Sequence, residues 1–337
     1  MTADAGSPRR SASSSGLDGL LVVDKPPGPT SHDVVARVRR ALGERRVGHT
    51  GTLDPAASGV LVLLVGRATR LARFLTAHDK AYVARVRLGV ATDSADAEGR
   101  PIGARYSGPW PDLATIERAL EAFLGTFAQR PPAYSAKKID GRRSYKMARS
   151  ARPGAAPIRL PQPSVVTLHD CAVSRIADDE VELHLTCSAG FYVRALASDI
   201  GEKLGTGAHL VGLRRTRCGP YRVEDAHALE RVEQLTGQSD AVGGFVVPMR
   251  EMLSDLPAVA LSAEGVKCAA RGGVIDTTDP ATATNGPALP PFPARSAERS
   301  GPMESVAVRL LGPDGGLVAV GAPTTRAGLL HPFVVLI

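Results

Sequence analysis

Cysteine is scarce and scattered in this chain. Cys171, Cys187, Cys218 and Cys268 form no C-x-x-C pair, which argues against a zinc site. Reduced, mostly buried thiols are expected, as in a cytoplasmic protein. No apolar run approaches membrane-spanning length. Val60–Val65 is a buried strand at most, so no membrane contact is expected. The N-terminal stretch also lacks the apolar centre of a signal peptide. It is Ser-rich and carries Arg9 and Arg10, so residues 1–18 read as a disordered tail.

What is present points to a globular protein with an anionic partner. A length of 337 residues suggests about two domains, and 43% hydrophobic residues supply an ample core. The net charge is +7, but it is uneven. From residue 251 onward there are six Lys/Arg against eight Asp/Glu, and before it thirty-five against twenty-six. The basic surface is therefore expected in the first part of the chain.

The stretch Val47-Gly48-His49-Thr50-Gly51-Thr52-Leu53-Asp54-Pro55 organises the rest. Its glycines and proline make it a loop between a basic helix and an apolar strand. Proline pushes the backbone of the preceding residue, Asp54, towards extended geometry. A carboxylate held on such a loop suits nucleophilic or acid-base work. Taken alone, an Asp-Pro pair more often simply opens a turn. Likewise, a loop histidine such as His49 more often makes a local hydrogen bond.

Along the chain, GLLVVD at residues 19–24 reads as a strand, followed by a helix capped at Thr30 or Ser31 and closed by Gly43. Arg37, Arg39, Arg40, Arg45 and Arg46 make that region strongly basic, which favours phosphate contact over a merely solvated face. Residues 81–88 alternate with period two, placing Tyr82, Ala84, Val86 and Leu88 on the apolar side. Tyr82 is then either an ordinary core tyrosine or a ring that stacks on a base. Asp112 opens a second helix. Residues 130–149 hold seven Lys/Arg with Tyr134 and Tyr145 interleaved, a mixture that suits RNA or a solvated loop. Arg194 falls in the first turn of a helix, where the dipole disfavours a cation, so a specific anionic partner is expected. Asp54 is the candidate; a surface arginine bonded to Glu202 or water is the alternative. Residues 220–248 read as helical around Leu229, Val232 and Leu235. Beyond Asp255, short apolar runs indicate a small β-rich domain interrupted by a Pro/Ala/Thr/Ser-rich flexible insertion at 276–302.

Five blocks carry a family resemblance: GLLVVDKPPGPTSHDVV, RRVGHTGTLDPAASGVL, KAYVARVRLGVATDSAD, RPPAYSAKKIDGRRSYKMAR and CSAGFYVRALASDIGEKLG with GAHLVGLRR. In order from about Gly19 to Tyr221 they resemble the bacterial TruB family, the tRNA pseudouridine-55 synthases. The resemblance implies an α+β fold, a mixed and largely antiparallel sheet with flanking helices and loops. It implies a catalytic domain at 19–248 and a small β-rich PUA-like domain at 249–337. It implies a cytoplasmic monomer acting on the T stem-loop of tRNA, without cofactor, metal or guide RNA. Asp54 matches the catalytic aspartate, Tyr82 the tyrosine that stacks on the target base, and Arg194 the arginine paired with the aspartate. Tyr192 and Leu213 match further pocket positions, Lys25 a lysine supporting the first motif, and His49 the histidine that fills the gap left by the flipped nucleotide. Arg46, Lys137, Lys138, Arg142 and Arg143 are expected to contact RNA.

The chemistry fits those residue types. Breaking a C1′–N1 bond builds positive charge on the sugar, as in glycoside hydrolysis. One carboxylate can stabilise that charge, attack C1′ or remove the C2′ proton, and the sequence leaves these open. An isomerase must keep water out, so a single acid shielded in an apolar, aromatic-lined pocket is expected. A non-catalytic RNA-binding protein and a synthase acting on another RNA are the competing readings.

Overall fold

The computed structural model describes residues 17–132, 161–236, 242–284 and 307–337, with the backbone of two short strands at 138–139 and 142–143. The chain enters as β1 (Gly19–Lys25), α1 (Ser31–Leu42), β2 (Val47–His49) and β3 (Ser58–Val65). A 3-10 turn at Gly66–Leu71 runs into α2 (Ala72–Thr76) and then β4 (Lys80–Leu88). The hairpin β5 (Ala91–Thr92) and β6 (Pro101–Ile102) precedes α3 (Leu113–Glu121), β7 (Gly125–Gln129) and the pair β8 (Lys138–Ile139) and β9 (Arg142–Arg143). Next come β10 (Ser164–Ala177), β11 (Glu180–Cys187), α4 (Val193–Lys203), β12 (Ala208–Cys218) and β13 (Tyr221–Arg222). Then follow β14 (His227–Ala228), α5 (Leu229–Glu233), β15 (Val247–Pro248), β16 (Ala258–Ala260), α6 (Ala263–Ala270) and β17 (Ile275–Asp276). The last strands are β18 (Val308–Leu311), β19 (Leu317–Pro323) and β20 (Leu329–Val335).

Among the described residues, eleven strands form one mixed sheet whose spine runs β14-β1-β3-β12-β4-β11-β10-β7. Most neighbours are antiparallel, so the α+β reading of the sequence holds. β1 and β3 are buried on both faces, which is why they read as unbroken apolar runs. Leu21, Val23, Leu61 and Leu63 pack on α1 and α5. Leu20, Val22, Val60 and Val62 face the other way, onto Met252, Val320 and Val334. β4 alternates as expected, with Tyr82, Ala84, Val86 and Leu88 in a separate core against α4 and β11.

The two halves of the sheet join at a narrow parallel seam, where Ser58 pairs with Arg214 and Gly59 with Arg215. Gly59 has φ +103°, and a Cβ there would lie 2.1 Å from the Arg215 carbonyl oxygen. Only glycine permits so close an approach of the two backbones.

Helix caps follow the sequence closely. Thr30 and Asp33 form a reciprocal capping box on α1, and Gly43 closes it in the left-handed region. Asp112 caps α3. Residues 220–236 differ from expectation. They hold one five-residue helix, α5, between short strands, because the apolar positions Leu229 and Val232 span barely one turn.

The C-terminal part forms a second sheet, ordered β16-β18-β19-β20-β17, with α6 beside it and its own core. The start of the stretch read as a flexible insertion is instead built into this sheet. Ile275 and Asp276 pair with Leu330 and Leu329, and buried Ala283 bridges to Leu261. The remainder of that stretch, and residues 1–16 of the expected tail, lie outside the described residues. Asp18 is anchored, since its carboxylate accepts from the Arg67 backbone N–H at 2.5 Å and from Arg67 Nε at 2.6 Å.

Candidate active site

The Asp54 loop is held from behind by three buried side chains. Lys25 ends β1 fully buried, and its Nζ donates to the carbonyls of Pro26, Pro55 and Ala57 at 3.0, 3.1 and 2.7 Å. Burial lowers the Lys25 pKa to about 8, with the Asp54 charge opposing the shift. Ser31, at the start of α1, accepts from the Leu53 N–H and donates to the Leu53 carbonyl, both at 2.9 Å. Arg215 donates from Nη2 to the Gly51 carbonyl at 3.0 Å and from Nε to the Val60 carbonyl at 2.7 Å. The loop is thus tied to β1, α1, β3 and β12, and the carboxylate it carries is fixed by the sheet.

Arg194 meets that carboxylate. It stands in the first turn of α4 with its side chain 8% exposed, and its Nε lies 3.0 Å from Asp54 Oδ2. The guanidinium also reaches Asp96 Oδ2 at 3.2 Å and the Ser94 carbonyl at 3.3 Å, both from Nη1. Two carboxylates therefore flank one buried cation. The partner anticipated from the unfavourable helix position is present. Asp96 was missed, although the acidic turn Thr92–Asp96 stood in the sequence as a signal.

Asp54, Arg194, Tyr82, Tyr192 and Leu213 line one cavity of about 270 Å3, with Lys80 and Arg215 at its floor. Tyr82 is 9% exposed, and burial raises its hydroxyl pKa while the Arg215 charge opposes the shift. Tyr192 is the N-cap residue of α4, and the Gln129 side chain clasps its backbone, accepting from its N–H at 2.8 Å and donating to its carbonyl at 3.0 Å. The cavity does not shield its acid as expected. The Asp54 side chain is 45% exposed, because its loop lies at the rim of the cavity.

The remaining candidates lie elsewhere. Lys25 sits behind the loop and off the cavity wall. His49 is on β2, half-buried outside the cavity, edge-on to His32 with centroids 5.2 Å apart. Burial, and then the His32 charge, lower its pKa to about 4, so the ring is neutral. Its buried Nδ1 has no hydrogen-bond partner among the described residues. Arg46 is on the surface, 3.5 Å from Glu44. Lys138 and Arg143 pair in the short β8–β9 hairpin that also holds Arg142, while Lys137 lies outside the described residues. Among the described residues no cluster of His, Cys, Asp or Glu is placed to hold a metal.

Comparison with known proteins gives a consistent picture. Residues 39–193 match the profile of the TruB family pseudouridylate synthase N-terminal domain, and residues 194–254 that of the tRNA pseudouridylate synthase B C-terminal domain. The chain is 38% identical to tRNA pseudouridine synthase B of Solibacter usitatus, over 95% of this chain and all of that one. It is 46% identical to the protein of that name from Thermobifida fusca, over 64% of this chain and 74% of that one. A solved H/ACA RNP bound to a substrate RNA containing 2′-deoxyuridine includes a chain of the same fold. Its TM-score is 0.66 at 24% identity, over 95% of this chain and 85% of that one.

Proposed function

The chain belongs to the TruB family of tRNA pseudouridine synthases, and from that membership we propose that it isomerises uridine 55 in the T-loop of tRNA, with Asp54 at the reacting ribose. The observation that carries the residue assignment is the Arg194–Asp54 ion pair at the rim of a cavity that Tyr82 lines. Positive charge develops on the ribose as C1′–N1 breaks, and an aimed carboxylate is the complement to it. Arg194 aims that carboxylate, and Asp96 holds the far edge of the guanidinium.

Tyr82 offers its ring to the base. With its pKa raised, the hydroxyl stays protonated and serves as a neutral donor. Tyr192 and Leu213 complete the pocket. The target base is flipped out of its loop at a cost of a few kcal/mol, and neutral His49 fills the vacancy without placing a charge in the stack. The flipped nucleotide covers Asp54, so water is excluded by substrate and protein together. Lys25 supports the loop from behind.

Residues 19–248 form the catalytic domain in this reading and 249–337 a PUA-like domain. Arg46, Lys138, Arg142 and Arg143, with Lys137, grip the tRNA backbone. The enzyme works as a cytoplasmic monomer without a guide RNA. The test is incubation with tRNA tritiated at uridine C5. Isomerisation releases tritium to water and leaves pseudouridine at position 55. Retention of all tritium would refute the reading.

A further inference from the structure

The floor of the cavity carries more positive charge than its walls compensate. Lys80 and Arg215 line it at 6% and 2% exposure. The one described carboxylate on the lining is Asp54, which is already engaged by Arg194. Neither Lys80 nor Arg215 has an ion-pair partner among the described residues. Their hydrogen bonds go to neutral groups: Arg215 to the Val60 and Gly51 carbonyls and to the Tyr82 hydroxyl, Lys80 to the carbonyls of Thr76 at 2.8 Å and of His78.

The acidic groups nearest Lys80 form no ion pair with it: Asp79 lies 3.2 Å from His169, and Cys218 and Cys187 are its register partners on β12 and β11. Cys187 is directly opposite Lys80 in the β4–β11 register, and burial pushes its thiol up to about 12, so it stays uncharged. Burial also lowers the pKa of Lys80 itself. Buried cations without counterions are costly. Two on the wall of one cavity indicate that an anion belongs there at some stage.

The reaction generates such an anion. When C1′–N1 breaks, the bonding pair leaves with N1, and the detached uracil carries a negative charge spread over N1, O2 and O4. When C5 then bonds to C1′ with a pair from the ring, C5 loses its proton and N1 gains one, so the product is an isomer of the substrate. Between those steps the base must turn while remaining in the cavity.

We propose that Lys80 and Arg215 form a cationic floor that stabilises the detached uracil anion and holds it while it rotates. Lys80 has three N–H donors, and two go to the Thr76 and His78 carbonyls, leaving one for the base. Arg215 is fixed by two carbonyls and by the Tyr82 hydroxyl. Its Nη1 lies beside Gly51, 3.5 Å from where a Cβ on that residue would stand. Both groups are preorganised, as donors to a developing charge need to be.

This inference rests on the proposed isomerisation, and the experiment separates the two. Single-turnover rates are measured for wild type, Lys80→Met and Lys80→Arg at saturating tRNA, on a uridine tRNA and on one carrying 5-fluorouridine at the target. Consumption of the N-linked nucleoside is read after digestion. Fluorine makes the detached base a better-stabilised anion, which needs less help from the protein. Lys80→Met is expected to slow the uridine substrate on the order of 10²-fold and the fluorinated one by roughly tenfold or less. Lys80→Arg is expected to restore part of the rate. Equal losses on the two substrates, a Lys80→Met rate near wild type, or failure of Lys80→Arg to exceed Lys80→Met would overturn the proposal. An inactive wild type would instead overturn the isomerisation itself.

Discussion

Arg194 Nε lies 3.0 Å from Asp54 Oδ2, although the two residues come from opposite halves of the sheet. Asp54 rides on the loop before β3, and Arg194 on the helix that follows β11. Their meeting makes a carboxylate of directed geometry out of an otherwise ordinary Asp-Pro turn.

Replacing Asp54 with Asn or Ala should therefore abolish pseudouridine formation while leaving tRNA affinity close to wild type. Tritium release and filter binding on the same preparations check this. Parallel loss of binding would make Asp54 a structural residue.

Asp96 holds the second edge of the Arg194 guanidinium. Asp96→Asn should leave the fold intact but let the arginine swing. Misplacing a reacting group by about 1 Å can cost on the order of 10²-fold, and the loss should fall on kcat more than on KM. Steady-state kinetics of the variant, beside its thermal midpoint, provide the check.

Much of this site was legible in the sequence. Asp54, Tyr82 and Arg194 lie in local patterns: a glycine-punctuated loop, a period-two strand and a helix start of the wrong charge. Asp96 and Arg215 were not found because their roles depend on long-range pairing. Arg215 stands in the sequence only as the charged end of the apolar run GAHLVGLRR. Yet it shares its strand face with Leu213, two residues earlier, so a candidate pocket position already pointed to it. The sheet halves followed from hydrophobic runs. Residues 220–236 did not, since one turn of periodicity cannot separate a short helix from strands.

His49 should leave a mark on acid stability. Its pKa is about 6.5 unfolded and about 4 folded, so between those values the unfolded chain binds the extra proton. Stability is complete above pH 6.5 and falls as the pH drops towards 4. His49→Gln should flatten that part of the curve, as read from urea midpoints across the range. An unchanged slope would show that the ring is protonated as easily in the fold as outside it.

Lys25→Met would strip the donor from three carbonyls around the Asp54 loop. Leaving buried acceptors unsatisfied should cost about 2–3 kcal/mol, with a larger proportional loss of turnover than of tRNA binding. Denaturant titration and single-turnover rates measure the two effects.

Neutralising Lys137, Lys138, Arg142 and Arg143 together should weaken tRNA binding and reduce its salt dependence. Each lost phosphate contact should flatten the log–log slope by up to about 0.9. An unaltered slope would remove this segment from the interface.

The seam at Gly59 and Arg215 has a mechanical consequence. Each leaf of the sheet has its own apolar filling, and the leaves share a joint two residues wide. The carboxylate rides on one leaf, while the tyrosine and the guanidinium ride on the other. Leu53 and Ala57, on either side of that carboxylate, pack into the same filling as the tyrosine, so bending at that joint would open the gap and strain that filling together. A methyl group wedged in at residue 59 would therefore act as a doorstop, spreading the carboxylate from the tyrosine and lifting Leu53 and Ala57 out of the core they share with it.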